Sequence, residues 1–274
     1  MKKFFFLFCI CFGGLLLMNC RSGLVTTSNK CYNQIESGKA SNAAGNYSAA
    51  LEHFNQVLSK CDAYDAKEKA YAGKAEALNG LKQYSDALAA ANEGLKINKT
   101  SIDNLFQKAN AELGLKMNAD AKADFAQIID LTTKNRNTKD RATIYAKIAE
   151  IDLKQNMYSD AMNNVEAAIS ADNTNADFYI LKGDIYAAQS DYNNAMIAYN
   201  QAITINGSAK VWEAKVEAET KALQKKYGTG SNAADLAGKL SGADRKALCS
   251  DISNAKKSGV KNANIDLLQI SVCK

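Results

Sequence analysis

A recurring spacing of small and apolar residues runs through the middle of the chain. After Ala195, an aromatic residue follows at the fourth position (Tyr199), and apolar residues follow at the seventh and eighth (Ala202 and Ile203). Residues at these spacings share one face of an α-helix, and alanine lets a second helix approach closely. Another apolar stripe precedes this one, over residues 178–186, with a polar turn between them. The pattern predicts two antiparallel helices.

The pattern occurs five times, with the aromatic residue at the fourth position in the first, third and fifth copies. Its anchoring alanines are separated by 37, 34, 40 and 34 residues, and they are Ala50, Ala87, Ala121, Ala161 and Ala195. The pattern resembles the tetratricopeptide repeat, and the fifth copy carries the most residues at that family's positions: Tyr179, Gly183, Tyr186, Tyr192, Ala195, Tyr199 and Ala202. No helix pair of this kind buries its apolar face alone, so adjacent pairs must stack. The resemblance implies an all-α fold, a right-handed superhelical solenoid of about five helix pairs.

The resemblance covers residues 31–207. Residues 208–227 predict an amphipathic helix that caps the last repeat, as a terminal repeat requires. Residues 228–274 predict further helices and resemble no family that we identify. The two longer spacings predict extra loop residues after the first and third units, the latter over residues 132–140.

The N-terminus has the pattern of an export signal. Two lysines precede an uncharged apolar stretch at 4–17, which is shorter than the roughly 20 residues that span a bilayer. The following residues resemble a bacterial lipoprotein signal, which implies a signal peptide over 1–19, a lipidated Cys20 and a flexible tether over 20–30. Ordinary secretion and an uncleaved anchor are the alternatives. We expect a lipid-anchored protein of the bacterial cell envelope, at the outer membrane.

Export favours disulfide bonds for the four cysteines of the body, Cys31, Cys61, Cys249 and Cys273. Cys31 opens the first helix of the first pair and Cys61 closes the second, so the two are neighbours in an antiparallel hairpin. We expect their Cα atoms to lie within about 4.4 to 6.8 Å. Cys249 and Cys273 lie on consecutive predicted helices. Free buried thiols are the alternative, and zinc is disfavoured because no Cys-x-x-Cys spacing occurs.

Catalytic chemistry has little support in this sequence. The single histidine, His53, cannot form a histidine metal cluster, and no P-loop, zincin or nucleophile-elbow pattern occurs. We therefore predict no enzyme activity, no cofactor and no metal. The net charge of +5 is scattered, without a run of basic residues, so nucleic acid is not expected as a partner.

The resemblance places the first helix of each pair on the concave side of the superhelix, and this register predicts a binding groove. Within it, Ile35, Phe106, Leu153 and Ile180 are expected to be exposed apolar residues in a polar frame, which is typical of binding surfaces. The other predicted groove residues are Tyr32, Lys39, Glu76, Asn110, Leu113, Glu150 and Asp184.

Resemblance and export together predict a non-enzymatic scaffold that binds a protein or peptide partner through this groove. The membrane is expected to be contacted only through the N-terminal lipid. Two other functions are kept open: an accessory role in outer-membrane protein assembly or secretion, which lipoproteins of similar size fulfil, and a solute or glycan receptor whose aromatic groove stacks on sugars. The sequence predicts neither the oligomeric state nor the identity of the partner.

Overall fold

A computed structural model describes residues 28–133 and 138–273. Within these ranges it consists of α-helices joined by turns. The predicted signal peptide and Cys20 lie outside the described residues. Ten helices form five antiparallel pairs, each with an inner helix followed by an outer helix: α1 (Asn29–Ala43) and α2 (Tyr47–Lys60), α3 (Tyr64–Gly80) and α4 (Tyr84–Ile97), α5 (Ile102–Gly114) and α6 (Asn118–Thr132), α7 (Thr138–Lys154) and α8 (Tyr158–Ala171), α9 (Ala176–Ala188) and α10 (Tyr192–Ile205). The predicted fold class, a right-handed solenoid of stacked helix pairs, is confirmed.

The turn inside each pair has the same backbone geometry. One residue in each turn has a positive φ between 59° and 74°, and these residues are Gly45, Lys82, Lys116, Asn156 and Ser190. In every turn the next N–H donates to the carbonyl five residues back, for example Gln83 to Leu78 at 2.9 Å and Met117 to Glu112 at 2.8 Å. This pattern is the Schellman motif, which satisfies the last carbonyls of a helix. The turns end the inner helices without proline, and only the first uses glycine.

Large side chains of the outer helices pack against small residues of the inner ones. Phe54 is fully buried, and a Cβ atom added to Gly38 or Gly73 would lie within 2.7 or 2.1 Å of its ring. Tyr199 is buried against Gly183 in the same way, at 2.5 Å. These separations are shorter than van der Waals contact, so the small residues are what allow the helices to pack.

The longer spacings between units lengthen helices where extra loops were expected. Only residues 61–63 separate α2 from α3, and α3 has 17 residues against 13 in α5. The segment 132–140, expected as a loop, includes the end of α6 and the first turn of α7, while residues 134–137 lie outside the described part. The expectation of an extra loop after the first unit is therefore wrong. The additional first turn of α3 buries more surface, through Ala66.

The C-terminal region forms one core around a long helix. This helix, α11 (Ala209–Tyr227), packs on α9 and α10 and also on the next three helices, α12 (Ala233–Lys239), α13 (Gly242–Lys257) and α14 (Ala263–Val272). Their shared core includes Val216 and Leu223 of α11 together with Leu236, Leu248 and Ile265. None of the helices in the described ranges has the length and apolar character needed to cross a bilayer.

Candidate binding groove

The inner helices of the first four pairs enclose a cavity of about 600 Å³ on the concave side. We call it the N-terminal cavity. Its apolar wall contains Ile102, Phe106 and Ile144, and its charged rim includes Lys39 and Glu76. The Phe106 ring meets the buried Phe125 edge to face, with centroids 5.9 Å apart, so the core holds this ring in position while part of it stays exposed. Such a cavity can take an apolar side chain from a partner.

A second cavity of about 540 Å³, the central cavity, lies between α7, α9 and α11. Two ion pairs lie in its wall. Lys147 pairs with Glu150 at 3.3 Å, and Lys210 of α11 pairs with Asp177 of α9 at 2.5 Å. Thr143 lines both cavities, so the concave surface is continuous across α7.

Seven of the eleven predicted groove residues line these cavities. Lys39, Glu76 and Phe106 lie in the N-terminal cavity, and Glu150, Leu153, Ile180 and Asp184 lie in the central one. Tyr32, Ile35, Asn110 and Leu113 line neither. Tyr32 is exposed beside the groove, while Leu113 packs against the core around Phe125.

Two of the four apolar groove residues are not exposed as predicted. Ile35 is 2% exposed in the core around Phe54, and Ile180 is 4% exposed in the core around Tyr199. Neighbouring helices cover both side chains. Ile35 therefore stabilises the first pair and offers no binding surface, whereas Ile180 forms the floor of the central cavity. Phe106 and Leu153 are half-buried.

One carboxylate of the groove is tied to the core. The Tyr199 hydroxyl donates a hydrogen bond to Asp184 Oδ1 at 2.7 Å. Burial raises the pKa of Asp184 above its usual range, and the same bond opposes that shift. In the N-terminal cavity, Glu76 accepts a hydrogen bond from Asn42 at 2.9 Å. These hydrogen bonds restrict the positions of both carboxylates where they line the cavities.

Several groove residues escaped the sequence analysis. Lys69, Asp103, Thr143 and Asp177 line the two cavities, and they occupy the position in successive units that Tyr32 occupies in the first. Projecting this position through every unit would have found them. Lys210 was missed for another reason, because its helix was interpreted as a cap.

Both predicted disulfide bonds are present. Cys31 is joined to Cys61 with Cα atoms 6.1 Å apart, within the expected range, and Cys249 is joined to Cys273 at 5.5 Å. The first bond ties the two ends of the first pair, which has a neighbouring pair on one side only among the described residues. The second ties α13 to the end of α14.

A buried ionic cluster lies in the third pair, away from the groove. Glu112 is 2% exposed, and Lys108 Nζ lies 3.3 Å from its Oε1 and 2.7 Å from Asp124 Oδ2. Burial, followed by the adjacent charge of Asp124, raises the pKa of Glu112 to about 7. In the fourth pair, Asp152 is buried at the same repeat position and pairs with Lys122.

His53 is half-buried with Nδ1 2.7 Å from Gln34 Oε1. Within residues 28–133 and 138–273, no group of three or more His, Cys, Asp or Glu side chains could hold a metal ion. The lack of enzyme activity stays a prediction.

Comparisons with known proteins agree with this architecture. The family model "Tetratricopeptide repeat" matches residues 176–208, which hold the fifth pair. Among solved structures, pilF of Pseudomonas aeruginosa is 12% identical, with a TM-score of 0.64 over 88% of this chain and 97% of that one. A tetratricopeptide repeat protein from Parabacteroides merdae is 14% identical, with a TM-score of 0.56 over 89% and 99%. No curated protein matches the chain.

A third solved structure, YrrB, is described as a tetratricopeptide repeat protein with an unusual peptide-binding site. It is 13% identical, with a TM-score of 0.50 over 78% of this chain and 96% of that one. These likenesses are to the fold. The protein has the tetratricopeptide-repeat fold, and this fold fits a protein-interaction scaffold.

Proposed function

We propose that this protein is a non-enzymatic scaffold that binds a polypeptide partner in its concave groove. The observation that carries the proposal is the N-terminal cavity, in which the partly exposed ring of Phe106 lies inside a frame of charged residues. An apolar anchor surrounded by a polar rim is the usual anatomy of a protein interface. The peptide-binding site named for YrrB supports the same use of the fold.

We further propose that lipid on Cys20 holds the protein in the bacterial cell envelope. The support is the N-terminal sequence, in which lysines and a short apolar stretch precede the cysteine. Acyl chains contribute about 0.8 kcal/mol for each buried methylene, so several chains give lasting membrane residence. Mass spectrometry of the mature N-terminus in native membranes tests this. An unmodified terminus downstream of Cys20 would contradict it.

The groove proposal is tested with Phe106→Ala. The partner is sought by binding the purified chain to an array of peptides from envelope proteins and, in parallel, to a glycan array. We expect peptide binding that Phe106→Ala weakens by about 1 to 3 kcal/mol, the range for an aromatic anchor. Helix content should not change, because Phe106 is only half-buried.

The matched control is Ile197→Ala on the outer helix α10, where the side chain is exposed and lines neither cavity. It should leave binding unchanged. Binding to glycans alone would replace this proposal with the receptor function. Equal binding by Phe106→Ala and the unaltered chain would place the partner elsewhere.

A further inference from the structure

The concave surface continues beyond the fifth repeat. A third cavity of about 440 Å³ lies between α9 and α11 and shares Ile180, Asp184 and Lys210 with the central cavity. A fourth cavity of about 470 Å³, the C-terminal cavity, lies between α11 and α14 and shares Glu217 and Lys221 with the third. Shared lining residues therefore connect the first inner helix to α14.

Helix α11 forms the connecting wall of this surface. Lys210, Glu213, Glu217, Lys221 and Gln224 line these cavities at helical spacings of three or four, which places them on one face. This face is about 21 Å long at a rise of 1.5 Å per residue. An extended polypeptide covers such a length with about six residues.

The C-terminal helices are firmly attached to α11. Besides the shared apolar core, Lys215 pairs with Asp251 at 2.8 Å, and Asn262 donates a hydrogen bond to Glu213 at 2.7 Å. The Cys249–Cys273 disulfide closes the unit. The cavity between α11 and α14 is thus held open by the same contacts that fold this region.

Exposed apolar side chains lie in the N-terminal and C-terminal cavities, and three carboxylates lie between them. At the far end, Leu267 of α14 lines the C-terminal cavity and is 54% exposed. Phe106 lies in the N-terminal cavity. Between them, Asp184, Glu213 and Glu217 line the third cavity; they accept hydrogen bonds from Tyr199 and Asn262, and none of the three forms an ion pair within the described part of the chain. Lys210 and Lys221 line the same cavity, and Lys210 pairs with Asp177, so the carboxylates outnumber the lysines available to them. Side chains of lysine or arginine would complement these carboxylates.

We propose that α11 and α14 form the distal end of the binding groove and that one extended polypeptide segment occupies its whole length. The segment carries one apolar residue that contacts Phe106, another that contacts Leu267, and at least one lysine or arginine between them. This inference rests on the proposed function and names the chemistry of its partner. It also gives the C-terminal unit a role in binding beyond covering the last repeat.

The test uses random 16-residue peptides, selected for binding to the full mature chain at physiological salt. Such peptides span about 50 Å when extended. The selected peptides are then measured against Leu267→Glu, which places a charge where the far apolar residue would bind. We expect affinity to fall at least about fivefold. The matched control, Ile197→Glu, alters a side chain that is 58% exposed on α10 and lines none of the four cavities; it should change affinity less than about twofold.

A second variant tests the inference independently if Leu267→Glu does not fold. Glu217→Lys reverses a charge in the middle of the surface. Among the selected peptides that Phe106→Ala weakens, those that carry lysine or arginine should lose more affinity for Glu217→Lys than those that lack them. If Phe106→Ala weakens binding while Leu267→Glu and Glu217→Lys do not, the groove ends at α9 and the inference is wrong, although the proposed function stands. If no peptide is selected, the proposed function itself is wrong.

Discussion

The third and fifth helix pairs have the same backbone and different cores. In the fifth pair, Tyr186 lies nine residues before the anchoring alanine, and the ring of Tyr199 fills the space above Gly183. In the third pair, Glu112 occupies the position of Tyr186, and it is buried with Lys108 and Asp124. The turns that close the two inner helices are nonetheless alike, with φ near 61° and 64°.

This difference shows what the repeat requires. Small residues and Schellman turns place the helices in both pairs, and the side chains between them vary as long as they are packed or paired. The fifth pair obtains its stability from apolar burial. The third also buries an ionic cluster, whose charges are expensive to remove from water. We therefore expect the two pairs to respond differently to mutation and to pH.

The largest expected effect is in the fifth pair. Tyr199→Ala should lower the free energy of unfolding by about 3 to 5 kcal/mol, the usual cost of deleting a fully buried aromatic ring. Chemical denaturation followed by fluorescence measures it, because Trp212, the only tryptophan, packs in the same core. Tyr199→Phe keeps the ring and loses only the hydrogen bond to Asp184, so it should cost about 1 kcal/mol. Equal losses for the two variants would show that ring burial is not the cause.

The third pair should make stability depend on pH. The pKa of Glu112 is about 7 in the folded protein and near 4.5 in the unfolded chain, so the folded state binds more protons between these values. The contribution of Glu112 to the free energy of unfolding is complete below about pH 4.5 and is lost as the pH rises through 7. Glu112→Gln should therefore stabilise the protein at pH 8 by about 1 to 3 kcal/mol and have less effect at pH 5.

Two further substitutions define that pH effect. Burial, followed by the charge of Asp251, also raises the pKa of Glu219 to about 7, so Glu112→Gln alone should leave part of the slope, and adding Glu219→Gln should remove more of it. Glu52→Gln, at an exposed position of α2, is the control and should leave the slope unchanged. Denaturation midpoints at pH 5, 6.5 and 8 measure all of them. A slope that survives the double substitution would assign it to other groups.

The smallest expected effect should be the same in both pairs. Lys116 and Ser190 hold the left-handed turn position of the third and fifth pairs, a conformation that costs a non-glycine residue about 1 kcal/mol. Lys116→Gly and Ser190→Gly should each raise the free energy of unfolding by up to about 1 kcal/mol. The control for glycine at a helical position is Ser85→Gly, in the first turn of α4, which should destabilise the protein. Lys122→Gly is not suitable, because the Lys122 side chain pairs with Asp152. Unequal gains at the two turns would mean that the pairs differ in backbone as well as core.

Much of the fold could be predicted because its signals are local and repeated. The alanine spacing and the apolar residue four positions later predict the second helix of a pair, and the apolar stripe before them predicts the first. The Cys31–Cys61 disulfide also followed, since the ends of an antiparallel hairpin meet. The register of the groove was predicted well enough to find Phe106 and Asp184, which lie on its concave side.

Other features depend on contacts between distant segments. Ile35 and Phe106 hold equivalent positions on their inner helices, yet Ile35 is covered by the core around Phe54 while Phe106 reaches the cavity. The sequence could not separate them, because burial depends on the size of the side chains that neighbouring helices supply. In the same way, the sequence showed a charged residue at position 112 but not its burial with Lys108 and Asp124.

The sequence by itself determined the repeat, the helix order and the partner helices of each pair, since these follow from short-range spacing and turn chemistry. Only the tertiary structure decided how the C-terminal helices meet α11. Their apolar positions predict helices, but no repeat sets where those helices pack, so the cavity between α11 and α14 emerges only when residues some 45 positions apart, such as Glu217 and Asn262, come into contact. Stacking of the helix pairs produces the concave surface from a local pattern, and long-range packing produces the cavity between α11 and α14.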